Sequence, residues 1–427
     1  MDSREVLEVI GVGIGPFNLG LAALLEETEY SYKCFDQKSQ FNWHPGMLLE
    51  GTTLQVPFMA DLVTMVNPSS PYSFLRYLHE HERLYQFYFF EKFHIPRTEY
   101  NHYCQWVANQ LKGLQFNSKV QKIEIEKEQL YKVTVEESGK PTVYYAKNVV
   151  VGVGRNPAVP ADFKSLQSNQ FYHSACYKQN RDETVKARHI TVVGSGQSAA
   201  EVVYDLLQHQ QENNYELHWY TRSKGFYPME YSKLGLEHFS PEYTRYFYHL
   251  NQDKKREVLK NQALLYKGIS FDTIADIYEH LYERTVGGKA SPIHMQALTE
   301  VQDVCREETD YKLTLYQYEQ GQTKELKSDV VIMATGYISS FPSCLESLQS
   351  HLLFDENGQL QIDEQFKVRT QSVEANLFIQ NGELHTHGVG APDLGLGAYR
   401  NAVIINQIAG KQVYKVYSKN VFQQFGV

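Results

Sequence analysis

Two distant segments of the chain repeat one pattern, an apolar strand running through a glycine-rich turn into a helix. In the first, residues 6–10 lead into Gly11-Val-Gly13-Ile-Gly15-Pro16 and then the helical pattern LGLAALLEE. Gly11 permits a tight turn, Gly13 lets backbone approach a pyrophosphate, and the helix start offers unpaired N–H groups to an anion. Pro16 stands where the general pattern has its third glycine and suits a first helical turn. The next strand ends at Asp36, where a carboxylate would accept hydrogen bonds from a ribose.

In the second, the strand ITVV from His189 runs into Gly194-Ser195-Gly196-Gln197-Ser198 and the helix AAEVVYDLLQ. Here the following strand ends with Arg222 and Lys224 instead of an acid, which accommodates a 2′-phosphate. Two turns imply two nucleotides, and their different strand ends predict FAD at the first and NADPH at the second. The fold class expected is α/β, with two Rossmann-like dinucleotide-binding domains. The apolar strands at 147–160 and 328–337 are where the chain would pass between them, the second ending in Thr335 and Gly336. This predicts an FAD domain over 1–180 that resumes over 328–427, with an NADPH domain inserted over 181–327. Helical patterns between about 230 and 290 predict a small helical addition to the insert, the substrate region.

Composition narrows the function classes. The 427 residues carry a formal charge of -9, which disfavours a nucleic-acid binder or a protein held on an anionic membrane. Five scattered cysteines form no C-x-x-C pair, so dithiol redox chemistry and a zinc knuckle are not expected. The N-terminus lacks a signal-peptide h-region, and no apolar run reaches a membrane-spanning length, which predicts a cytoplasmic protein without a membrane anchor.

The segments FDQKSQFNWHPGM (35–47), LQVPFMADLV (54–63), NPSSPYSFLRYL (67–78), FSPEY (239–243), ATGY (334–337) and THGVGAPDLGLGAYR (386–400) resemble the N-hydroxylating flavoprotein monooxygenases of siderophore biosynthesis. These are the lysine and ornithine N-monooxygenases and their diamine-acting relatives. The resemblance implies an enzyme that uses FAD, NADPH and molecular oxygen to form a C4a-hydroperoxyflavin and N-hydroxylate a primary amine. It also implies a homo-oligomer, a tetramer among relatives. Carried over position by position, Trp43, His44 and Met47 flank the flavin beside Gln37. Gln55 sits at its reactive edge, where its amide would orient the oxygenated flavin or the amine. Gln55 and His44 are thus the catalytic candidates, while Thr386, His387, Gly388 and Leu394 belong to the block near nicotinamide and flavin. His385 and His387 lack the carboxylate or cysteine partners of a metal site, and no metal is expected.

Three positions depart from the amino-acid hydroxylases. Ala60 stands where those enzymes carry a lysine for the substrate α-carboxylate, Leu236 where ornithine enzymes have an asparagine, and Gly395 where they have a serine. A buried carboxylate without a cation or donor is costly, so these replacements argue for a substrate without one. The aliphatic diamines putrescine and cadaverine fit, feeding hydroxamate siderophores, with Asp393 as candidate partner of the second ammonium and Glu237 behind it. Histamine, or lysine or ornithine held differently, are the alternatives, and a non-enzymatic FAD-binding sensor is the alternative from another class.

Overall fold

The computed structural model describes residues 5–127, 129–371 and 373–427. β1 (Val6–Val12) passes through the first glycine turn into α1 (Pro16–Glu26) and β2 (Tyr32–Phe35). After the irregular 36–73 segment come α2 (Phe74–Glu80), α3 (Leu84–Phe90) and α4 (Arg97–Ala108). Then follow β3 (Leu114–Gln115), β4 (Ser118–Lys127), β5 (Leu130–Glu137) and β6 (Lys140–Val151). These strands form one sheet in the order β3-β2-β1-β6-β5-β4, parallel from β3 to β6 and antiparallel from β6 to β4. β1 at the centre reads as a nearly continuous apolar run because both of its faces are covered, whereas β5 alternates.

The chain leaves this unit through β7 (Asn156–Pro157) and builds a second. Its elements are β8 (Phe171–His173), α5 (Tyr177–Thr184), β9 (His189–Val193), α6 (Gln197–Asn213), β10 (Glu216–Tyr220), α7 (Lys233–Leu236), α8 (Pro241–His249), α9 (Gln252–Asn261) and α10 (Phe271–Arg284). They continue with β11 (Ile293–Gln296), β12 (Thr299–Glu307), β13 (Asp310–Gln317), β14 (Gln322–Ser328) and β15 (Val330–Met333). A parallel sheet of order β11-β10-β9-β15-β8 carries the second glycine turn, and β12-β13-β14 form a separate antiparallel sheet. β16 (Tyr337–Ile338) then pairs with β7, so entry to and exit from the insert form one two-stranded ribbon. β17 (Asn376–Ile379) returns to the first sheet beside β6, followed by α11 (Leu384–His387) and α12 (Gly397–Ala409).

The expected fold class is therefore found, with two corrections. The boundaries at 181 and 328 are misplaced: β8 and β15 belong to the second sheet, so the insert runs from the β7 crossing to the β16 crossing. An apolar strand reads the same whichever sheet it joins, and only pairing assigns it. The helices of 230–290 do not form one addition to the insert. α10 packs on α6 through Ile274, Ile277 and Leu281, whereas Tyr243 and Phe247 of α8 share a buried cluster with Val389 of the C-terminal block.

Candidate active site

The first glycine turn is locked from behind and open in front. Gly13 has φ +84°, and a methyl there would sit 2.7 Å from the Gly152 carbonyl oxygen, so glycine is required by both conformation and space. Buried Asn18 donates to the carbonyls of Val12 and Gly13 and accepts from Gln380. Gly15, at the mouth of α1, has nothing within 4 Å of a Cβ position, and the first turn of α1 carries no acid. That leaves an unblocked cradle at a positive helix end. Asp36 already accepts from the backbone N–H groups of Ile14 (2.7 Å) and Lys38 (2.9 Å), so only its second lone pairs remain for a ribose. Gln37 beside it is exposed.

The 42–55 segment supplies two buried side-chain atoms without a partner, Gln55 Nε2 and Asn42 Oδ1. An orphaned buried donor costs about 1–3 kcal/mol unless something fills the space beside it, and together with the open cradle this fits a polar ring system such as a flavin. Trp43 is fixed by its N–H donating to Asn101 and by an edge contact with Tyr100 at 5.1 Å. His44 adopts a left-handed backbone (φ 47°), with its ring between Trp43 at 5.0 Å and Tyr337 at 5.5 Å. The residue is exposed on one side, yet its ring is hemmed in by protein. Dehydration, with the Arg97 and Lys38 cations, holds its imidazole down to about 4, so it is neutral at pH 7. Met47 departs from expectation: it is 2% exposed and lies in the core of the second unit, so it packs the turn instead of flanking a cofactor. A thioether in that position reads identically whether it faces core or ligand.

In the second turn, Gly194 has φ +136°, a methyl on it would lie 2.2 Å from the Ala334 carbonyl oxygen, and its own carbonyl accepts from Trp219 Nε1. Gly196 is open, as Gly15 is. Ser195 Oγ bonds Ser223 Oγ, and Ser198 lies in the first turn of α6. Gln197 is corrected: its amide accepts from Ser270 N–H and donates to Glu201 and Thr273, tying α10 to α6, which leaves only its backbone N–H for a nucleotide. Arg222 is 77% exposed with Glu300 3.7 Å away, and Lys224 is exposed beside it, leaving both reachable by a phosphate. Thr335 Oγ1 donates to Ala158, and the Gly336 carbonyl accepts from Ala158 N–H and lies 3.0 Å from His173 Nε2, so this turn braces the crossing ribbon.

The C-terminal block is also corrected. Thr386 and His387 are buried: Thr386 Oγ1 donates to Glu383, while His387 stacks on Phe366 at 4.4 Å and is pushed down to about 3 by burial. Gly388 lies under the Phe247 ring, leaving no room for a side chain. These residues form a floor and do not line a nicotinamide site. Arg400, invisible as a functional residue in the sequence, organises it. Fully buried, it pairs with Glu383 at 2.9 Å, donates to the carbonyls of Gly390 and Ala391, and stacks on Phe17.

That floor carries the substrate positions. A Cβ on Gly395 would lie 3.8 Å from the Ala60 Cβ and 2.8 Å from an Asp393 carboxylate oxygen, so the 393–395 turn meets Ala60 from the far end of the chain. Burial raises the Asp393 carboxyl to about 6 against backbone N–H groups of Gly395 and Leu396 that hold it down. Leu394 packs beside it on the main core. Leu236 is half-exposed, and Glu237 is corrected. Its carboxylate accepts from the N–H groups of Phe422 and Gln423, fastening the C-terminal tail over α7 and away from any substrate. Arg97, also unforeseen, spans the two units: it grips Glu201 with two bonds of 2.6 and 2.7 Å and donates to Thr53, two residues before Gln55. Among the described residues no group of His, Cys, Asp and Glu is arranged to hold a metal.

Two open glycine turns, each at the start of a helix behind a parallel strand, define a two-nucleotide oxidoreductase. Residues 5–339 match the family model of L-lysine 6-monooxygenase/L-ornithine 5-monooxygenase, and the chain belongs to this family. It is 42% identical to the rhizobactin siderophore biosynthesis protein RhbE of Rhizobium meliloti, covering 98% of this chain and 95% of that one. It is also 42% identical to the putrescine N-hydroxylase of Shewanella oneidensis, covering 99% and 84%. The crystal structure of the cadaverine monooxygenase DfoA of Erwinia amylovora, bound to FAD, matches with a TM-score of 0.95 at 40% identity, covering 99% of both chains. The Kutzneria ornithine N-hydroxylase KtzI, solved with reduced FAD, NADP+ and L-ornithine, matches with a TM-score of 0.89 at 27% identity, covering 95% and 99%.

Proposed function

We propose that the chain is an FAD- and NADPH-dependent N-monooxygenase that hydroxylates one amine of an aliphatic diamine, putrescine or cadaverine, for hydroxamate siderophore assembly. The carrying observation is the meeting of Ala60, Gly395 and Asp393, which offers a carboxylate to a cation and nothing to a carboxylate. Relatives that act on putrescine and cadaverine over almost the whole chain support it.

When bound and reduced by NADPH, FAD would supply one oxygen atom of molecular oxygen to the amine, the other leaving as water. The chain's own residues do the rest. Asp393, ionised above pH 6, holds the distal ammonium and sets the distance of the other nitrogen from the flavin edge. Attack requires that nitrogen's lone pair, so it must lose its proton on entering, and partial desolvation in the cleft favours the neutral amine. His44, uncharged, adds no positive charge to oppose the approach of the diamine. The Gln55 amide, with its unpartnered Nε2, orients the reacting groups. Gly11, Gly13, Gly15 and Pro16 form the FAD turn and Gly194, Ser195, Gly196 and Ser198 the NADPH turn, with Arg222 and Lys224 at the 2′-phosphate. We place the enzyme in the cytoplasm as a homo-oligomer; among the described residues no helix is long and apolar enough to cross a membrane.

The test is hydroxylamine formation with putrescine, cadaverine, histamine, ornithine and lysine compared under FAD, NADPH and oxygen. Product from a diamine and not from its amino acid is expected. Product mainly from ornithine or lysine would overturn the substrate reading while leaving the family membership intact.

A further inference from the structure

Helix α7 has little of its own to hold it. It is four residues long, buries none of them, and is capped by Ser232 Oγ, which accepts from Gly235 N–H. So short a helix is not stable by its own hydrogen bonds. The segment 417–426, itself in neither helix nor strand, grips it from outside. The N–H groups of Phe422 (3.0 Å) and Gln423 (2.9 Å) donate to the Glu237 carboxylate, and Gln423 Nε2 donates to the Leu234 carbonyl at 2.6 Å. Leu236 thus sits between two fastened positions. The N–H groups of Asn420 and Val421 donate to the Glu242 carboxylate at the start of α8. Four consecutive N–H groups therefore meet two carboxylates, in bonds strengthened by the acceptor's charge. Beyond them the side chains alternate. Phe422 stands 92% exposed, while Phe425 turns inward among His238 (5.5 Å), Tyr243 (4.9 Å) and Tyr246 (6.3 Å).

Helix α8 in turn meets the floor of the substrate position. A Cβ on Gly388 would lie 2.9 Å from the Phe247 ring, and one on Gly390 3.1 Å from Thr244 Oγ1, so helix and turn approach as closely as glycine allows. The Gly390 carbonyl accepts from the Asp393 N–H at 3.2 Å. Phe425, Tyr243, Phe247 and Val389 belong to one apolar cluster, an unbroken path from the tail to the turn that carries Asp393. We propose that residues 420–425 are a strap that positions the substrate site: by clamping α7 and α8 they hold the 388–395 turn, and so the Asp393 carboxylate, in place for the distal ammonium. A gap at Phe425 takes the outer wall from Tyr243 and Phe247, and close-packed neighbours shift to fill it. The strap's bonds and ring contacts fall on α7, α8 and the turn between them, away from both glycine turns. Its residues act on the substrate only through α8. The inference deepens the reading of Asp393 as ammonium partner and rests on it.

The test compares the FAD-loaded native chain with Phe425→Ala, Phe425→Leu and the solvated control Phe422→Ala, by diamine kinetics and by amide exchange. Phe425→Ala should raise the diamine KM about tenfold, while kcat, bound FAD and flavin reduction by NADPH stay within about twofold of native. Amides over 233–249 and 388–395 should exchange faster in it. Phe425→Leu, which refills most of the volume, should recover most of the KM, and Phe422→Ala should match the native chain. A native KM with native exchange over 388–395 in Phe425→Ala would overturn the proposal. So would a KM rise matched by an equal loss of FAD, the mark of general unfolding. If Phe425→Ala yields no folded protein, Glu242→Gln, which loosens only the Asn420 and Val421 bonds, carries the same comparison. If the native chain hydroxylates no diamine, the reading of Asp393 fails. Exchange still decides the strap in that case: faster over 388–395 in Phe425→Ala if it braces the turn, unchanged if it does not.

Discussion

Replacing Arg97 by methionine tests whether the ion pair with Glu201 holds the two units together. The pair is nearly dry, with side chains 12% and 3% exposed and two charge-assisted bonds of 2.6 and 2.7 Å. Burial nevertheless raises the Glu201 carboxyl despite the guanidinium, so the pair only partly offsets its own desolvation. Arg97→Met leaves the carboxylate with one partner, Gln197 at 2.8 Å, and should cost about 3–5 kcal/mol. Glu201→Gln should cost less, because Arg97 keeps its bond to Thr53. Arg97→Met combined with Glu201→Gln should cost less than the two single changes together, since neither charge is then stranded. Urea unfolding of all four proteins at pH 7 and pH 5 measures this as a double-mutant cycle, followed with separate probes for the two units because such a chain need not unfold in one step. The Arg97→Met penalty should shrink at pH 5 as Glu201 takes up a proton. A penalty below about 1 kcal/mol, the value of an exposed pair, or strictly additive single changes, would refute the reasoning.

Three further outcomes are expected. Gly15→Ala should leave the melting temperature of the FAD-free protein unchanged, because nothing lies within 4 Å of the new methyl, yet weaken FAD retention. Gly13→Ala should destabilise the FAD-free protein as well, and equal behaviour of the two variants by calorimetry and FAD titration would contradict the cradle assignment. Asp393→Asn should raise the diamine KM at least tenfold at pH 8 and abolish the rise in KM expected of the native enzyme below pH 6, where Asp393 protonates; an unchanged KM removes Asp393 from the site. For stability, buried His218 and His387, held down to about 4 and about 3, bind fewer protons folded than unfolded below pH 6.5. Their contribution to stability should therefore fall as pH drops from 6.5 to 4, by up to about 1.4 kcal/mol per unit for each histidine. Burial raises the carboxyls of Asp393, to about 6, and of Asp61, Glu201 and Glu383, which bind more protons folded than unfolded and oppose this loss. Denaturant midpoints of His218→Phe and His387→Phe should therefore fall less on acidification than those of the native chain, and an equal or steeper fall would refute the assignment.

Features set by neighbours along the chain were legible in the sequence. Both glycine turns were, because a strand, a φ only glycine tolerates and a helix start are local requirements that leave residues at fixed spacing. The missing cation at Ala60 and the missing hydroxyl at Gly395 were readable only beside the pattern of the amino-acid hydroxylases that the chain resembles, and needed no coordinates once that resemblance was in place. What the sequence left open was direction. His387 and Met47 carry side chains suited to a cofactor, but their burial is decided by Phe366 and by the core of the second unit. Glu237 resembled a substrate ligand until the tail, more than 180 residues onward, supplied the N–H groups that occupy it. The same limit hid the Arg97–Glu201 and Glu383–Arg400 pairs and the sheet that β8 and β15 join. Local stereochemistry fixed the elements and their turns; long-range packing determined which way each side chain faces, and so which carboxylates remain free to meet an amine.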